Sequence, residues 1–339
     1  AAFASCDPLN FGLRFHHFID GAKQGDAPPD MPIRRDVEYP VTKAYTAAIK
    51  KALTGIEWGK FNTLSGKIPI TLKNNIKLAV GDILNTALHT GPFGLPRAGT
   101  GDFSTSDGTL PGIDIVNADD GAVKYNMRSD VSASFVGRYW TIAIQEQEIT
   151  KIIASSNNTT TLDGTLKSFA DLLYHEARHC QQTFWMTALF RQHSADYAMF
   201  AHATKVYKGN TQEDVFNAAK NTVIPDDARV TAGLHRMLIF NYHWTISYIQ
   251  NQPGGAYVKP DVSIAQAEVC KLLRVSPETA AKMVSFEDGY RSQLHEEDAY
   301  ACAEVVQDYC SKPDRTFVRN PGTCTGAYSE SLRAIRGGI

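Results

Sequence analysis

Residues 168–190 read SFADLLYHEARHCQQTFWMTALF. They contain neither Gly nor Pro, and Leu172, Met186, Leu189 and Phe190 recur at helical spacing, so the stretch predicts a helix. At its centre, His175-Glu176-Ala177-Arg178-His179 spells H-E-x-x-H. Histidines four apart lie about one turn from each other on one helix face, so both imidazoles can reach a single ion. Zinc takes such nitrogen ligands. Glu176 lies about a quarter-turn round, where it takes a proton from a metal-bound water without ligating the ion. The plainer alternative is a histidine pair on a solvated face with a bystander glutamate. The apolar residues on the histidine side argue that this face looks inward.

A catalytic zinc takes three protein ligands and a water. A third histidine within the motif helix, in the pattern H-E-x-x-H-x-x-G-x-x-H, would need Gly at 182 and His at 185. Gln182 and Trp185 stand there, so the ligand must come from elsewhere. The best source is SQLHEEDAYACAEVVQDYC, from Ser292 to Cys310. On a helix, Ala299, Cys302, Ala303, Val306 and Cys310 form a small-residue face that permits close packing on another helix. His295 and Glu296 lie at the N-terminal edge of that face, whereas Glu297 points away and Asp298 lies to one flank. The helical wheel thus selects Glu296 as third ligand with His295 beside it. Asp298 becomes the candidate to hold a ligand imidazole by its second nitrogen. An acidic first turn complementing the helix dipole explains the cluster of acids, but not the small-residue face. His193 and His202 follow the motif too closely to fold back on it. His235 and His243 sit eight apart on an apolar helix, about 80° out of line, which suits hydrogen-bonded core residues. As donors to a transition state, His235, His243, Tyr242 and Tyr300 are not separated by sequence.

HEARHCQQ followed by HEEDAYACAE resembles the zincin metallopeptidases, in the gluzincin-like branch whose third ligand is a downstream glutamate. It is most similar to peptidase domains with H-E-x-x-H-x-x-Q and a later E-x-D-A or E-A-D helix, found in bacterial secreted and toxin-associated proteins. The resemblance spans two short helices. It implies His175 and His179 as ligands, Glu176 as general base, Glu296 as third ligand and Zn²⁺ as cofactor. The E-x-x-x-D spacing of related peptidases is absent, because Asp298 follows Glu296 by only two residues. A long segment separates the two motifs, which implies an insertion.

The remaining sequence bounds the class. With 339 residues, 43% hydrophobic and 21% charged, the chain has the composition of a globular protein with a sizeable core. A net charge of -2 and scattered Lys and Arg give no footprint for nucleic acid or an anionic membrane surface. No apolar run reaches the ~20 residues of a membrane span. The opening Ala1-Ala2-Phe3-Ala4-Ser5-Cys6 suits a mature exported N-terminus, so a secreted or exported protein is expected, with the cytoplasm as alternative. Among six cysteines there is no C-x-x-C pair. Cys180 and Cys270 read as small buried hydrophobes. Cys310 with Cys324, and Cys6 with Cys302, are the disulfide pairings considered. Asn157 and Asn158 open overlapping glycosylation sequons.

Along the chain, VTKAYTAAIKKAL and NNIKLAVGDILNTALH read as helices, followed by a long Gly/Pro/Ser/Thr loop up to Ile113. GIDIVNA, AVKYNMRS and FVGRYWTIAIQ read as three strands of a small sheet. Tyr139–Ile144 is the best edge-strand candidate, but core packing of a central strand fits it equally well or better. SSNNTTTLDG reads as a turn before the motif helix, and TQEDVFNAAKNTV and the other segments after Phe190 as further helices. The expectation is one mostly helical α+β domain over 1–339: an N-terminal elaboration (1–120), a zincin-like core (121–310) and a C-terminal tail (311–339). The core would hold the H-E-x-x-H helix, a small mixed sheet and the glutamate-bearing helix. The function expected is a zinc metallopeptidase acting on a protein or peptide substrate. The alternative is a non-catalytic binding or effector protein on the same scaffold. A Cys180 amidase is a third reading, disfavoured because adjacent Cys180 and His179 point apart on a helix. Oligomeric state leaves no trace in the sequence.

Overall fold

A computed structural model describes residues 45, 47–61, 67–89, 94–96, 110–194, 208–209 and 211–224, with Leu238, Asn241, His295, Glu296, Ala299 and Ala303. The named elements are α1 (Ile70–Leu88), β1 (Gly112–Val116), α2 (Ala118–Tyr125), β2 (Ala133–Val136), β3 (Thr141–Gln145), α3 (Glu146–Ser155), α4 (Thr159–Gln192) and α5 (Glu213–Ala219). The fold is α+β, mostly helical around a small mixed sheet. Strand order is β1-β3-β2, with β1 parallel and β2 antiparallel to β3.

Alternation along β3 divides the sheet between two packing layers. Ile142 and Ile144 point into the main core with α1 and α4. Ala143 faces the other way, onto Val116, Tyr125 and Met127. α2 closes that second face. A Cβ on Gly121 would come within 3.1 Å of Val116 Cγ2, so the missing side chain lets α2 approach β1 closely.

α4 is the spine of the molecule. Leu173, Ala177, Cys180, Phe184 and Ala188 form a fully buried stripe at helical spacing. Truncating a ring such as Phe184 to alanine in that stripe costs about 3–5 kcal/mol. At its C-terminal half α4 is buried on nearly every side, Gln181, Gln182 and Thr187 included. The main core extends back to Tyr45, Ile49 and Leu53, whose helical stretch packs on α4. Tyr45 O–H donates to Ala170 O at 2.9 Å.

Three expectations are corrected. AVKYNMRS does not form a strand, because Ala122–Tyr125 close α2. Asn117 caps that helix by accepting from Asp120 N–H, Asp119 and Asp120 occupy its first turn, and Asn126 ends it at φ 54°. FVGRYWTIAIQ supplies two strands rather than one. Its first residues complete β2, Gly137–Trp140 turn, and Thr141–Gln145 form β3, so of the two readings of Tyr139–Ile144 the central strand holds and the edge strand does not. β1 and β2 are the two edges, and β2 is the one packed against α4. Trp140 turns the corner at φ 50°, uncommon for a non-glycine residue, and stays buried with its ring edge-on to Phe135 at 5.0 Å. Finally, α4 starts within SSNNTTTLDG. Asn158 accepts from the backbone N–H of Thr160 and Thr161, and this cap carries the helix through Gly164.

TQEDVFNAAKNTV contributes α5, capped by the side chain of Gln212. The disulfide pairings and Cys270 lie outside the described residues, as do His202 and most of the segment 225–294. Among the described residues, no helix is long and apolar enough to cross a membrane.

Candidate metal centre

The helix periodicity of α4 puts His175 and His179 on one face, with ring centroids 4.6 Å apart and edge to face. Their Nε2 atoms stand 3.1 Å from each other. Glu296 meets both across a long stretch of sequence. Its Oε2 is 3.3 Å from His175 Nε2 and its Oε1 is 3.3 Å from His179 Nε2. The four positions His295, Glu296, Ala299 and Ala303 are all helical, and Ala299 and Ala303 are buried. Ala299 and Ala303 are two of the five residues of the expected small-residue face; Cys302, Val306 and Cys310 lie outside the described residues.

His175, His179 and Glu296 thus form a group that could hold a metal ion. Four-coordinate binding with bonds of about 2.0–2.1 Å sets neighbouring donors about 3.3 Å apart. The three donor separations fall at or just under that edge length. Glu296 is 3% exposed, and both of its carboxylate oxygens face imidazole nitrogens. A buried carboxylate facing two imidazole nitrogens needs a cation or a proton between them.

The electrostatics record that need. Burial disfavours charge on His179, but Glu296 outweighs it and pushes the imidazole up to about 9. Burial likewise opposes ionisation of Glu296, yet His179, with hydrogen bonds from both histidines, holds its carboxyl well below the usual range. His295 flanks the group without joining it. Its Nε2 is 3.7 Å from Glu296 Oε1, and its ring centroid is 5.5 Å from that of His179.

Glu176 is buried one residue from His175 and directed to the sheet. Phe135 N–H on β2 donates to its Oε2 at 2.7 Å. Burial raises the Glu176 carboxyl above its ordinary value, against the pull of both histidines and of that N–H. Gln182 lies three residues after His179. Its Oε1 is 2.8 Å from His179 Nδ1, and its Nε2 donates to His295 O at 2.8 Å. Neither partner was expected from sequence. The i, i+3 spacing of Gln182 was a usable signal, whereas a backbone N–H leaves no mark in side-chain identity.

Asp298, Tyr300, His235, Tyr242 and His243 lie outside the described residues. His193 caps the C-terminal end of α4 on the surface, away from the group. Cys180 is fully buried and burial pushes its thiol well above the ordinary range, which disqualifies it as a nucleophile.

No family model, curated protein or solved structure matches the chain.

Proposed function

We propose that the chain is a zinc-dependent metallopeptidase of the zincin type. One observation carries the reading: His175, His179 and Glu296 converge while Glu176 stands beside them, anchored to an edge strand. Two imidazoles and a single carboxylate suit Zn²⁺ better than Mg²⁺ or Ca²⁺, which prefer all-oxygen sites. When bound, the ion would polarise a carbonyl and acidify water.

The chain's own groups divide the remaining work. Glu176 accepts the proton of the attacking water and returns it to the leaving amine. Its Oε2 is committed to Phe135 N–H, leaving Oε1 for proton traffic. Burial, by raising its carboxyl, makes it a stronger base than an exposed glutamate. β2 offers a grip for an extended peptide. Gln145 N–H donates to Ser132 O at 2.9 Å, so alternate residues bond β3 while Ala133 and Phe135 turn their backbone groups outward. With Phe135 N–H held by Glu176, the groups left for a peptide are those of Ala133 and Phe135 C=O.

Glu176→Gln tests the proposal. The variant is expected to keep its metal and to lose hydrolysis of a cleaved peptide by about 10²-fold or more. Wild-type rates in that variant would overturn the mechanism. Bound metal without cleavage of any peptide by the wild type would favour a binding or effector role.

A further inference from the structure

We propose that Gln182 is a positioning residue for this centre, setting which nitrogen of His179 faces the ion and fastening that ring to the segment carrying Glu296. The inference rests on reading the site as a metal centre.

A chain of donors and acceptors gives the result. Gln182 is fully buried. His295 O can only accept, so the atom 2.8 Å from it must be the amide nitrogen of Gln182. The other end of the amide is therefore its oxygen, which also can only accept. At 2.8 Å from that oxygen, His179 Nδ1 must carry a proton. In the neutral ring, Nε2 then holds the lone pair, and Nε2 is the atom facing His175 Nε2 and Glu296 Oε1. A hydroxyl at this place could rotate and reverse the pattern, but an amide pinned by a carbonyl has one orientation. Because His295 precedes Glu296, the same amide ties the imidazole on α4 to the neighbour of the carboxylate. It therefore holds the donors together as well as choosing the tautomer.

Gln182→Met keeps the volume and removes both hydrogen bonds. Gln182→Glu keeps an acceptor toward Nδ1. Zinc affinity is read by competition with a chromophoric chelator, and the His179 Nδ1 proton by imidazole ¹⁵N spectra of the zinc-loaded protein. Wild type is expected to show a slowly exchanging Nδ1 proton. Gln182→Met is expected to lose that protection and to bind zinc about 10–100-fold more weakly. Gln182→Glu is expected to retain the protected Nδ1 proton but, with no donor for His295 O, to recover only part of the affinity. Equal affinity and equal protection in wild type and Gln182→Met would overturn this role alone. A Gln182→Glu variant that loses Nδ1 protection as Gln182→Met does would overturn the tautomer assignment. A wild type that takes up no zinc would overturn the metal reading and this inference with it.

Discussion

His179 and Glu296 each hold the other in its charged form, so at neutral pH the centre carries a proton that an ion must displace. The metal-free His179 titrates at about 9, against roughly 6.5 for an unfolded histidine. A folded value above the unfolded one stabilises the protein fully below pH ~6.5, and that contribution disappears as pH rises through about 9. Denaturant unfolding of the metal-free protein should therefore show stability falling between pH 7 and 9, and unchanged stability across that window would argue against the pair. Zinc binding at pH 7 should release about one proton from this ring. Calorimetry in buffers of different ionisation heat measures that release, and binding without proton release would contradict the assignment. At this scale much was legible. The spacing of His175 and His179 is local, and a helical wheel marks Glu296 as the candidate on its own segment, although its meeting with the two imidazoles is a tertiary event. The full role of Gln182 was not legible, because its second partner is the backbone oxygen of His295, whose nearness depends on tertiary packing.

Among the elements, β2 and α4 set the geometry around Glu176. Because Phe135 N–H points away from the β3 ladder, proline at 135 removes the Glu176 hydrogen bond while sparing the strand pairing. Phe135→Pro is expected to lower peptide hydrolysis about tenfold or more relative to Phe135→Ala, with zinc affinity alike in the two variants. Equal activities would show that the anchor is dispensable. The cap of α4 is a separate, purely structural prediction. Asn158→Ala leaves two backbone donors unsatisfied and should cost about 1 kcal/mol in denaturant unfolding. Element errors have local and non-local causes. In α2, the capping residues Asn117 and Asn126 outweighed the strand preference of Val123 and Tyr125. Which strand lies at the edge is not written in any single segment, since β3 becomes central only by pairing with β1 and β2.

Over the whole molecule, the centre joins the spine helix α4 to a chain segment more than a hundred residues away. Gln181 Nε2 also reaches Leu88 O at the end of α1, and Gln182 Nε2 reaches His295 O, so neighbouring glutamines of α4 grip opposite parts of the chain. A metal held between His175, His179 and Glu296 should stabilise the fold by bridging these segments. At free zinc about 100-fold above Kd, binding adds about 2.7 kcal/mol, which chelation removes. Thermal unfolding with and without chelator measures the difference. The mostly helical α+β class was legible from periodicity, whereas the packing of α1 against the sheet and α4 required the folded core. The most direct test of the central claim is metal stoichiometry after dialysis against zinc, with wild type and Glu296→Gln side by side. One zinc per wild-type chain and its loss in the variant are expected; a metal-free wild type, or equal zinc in both, would contradict the account.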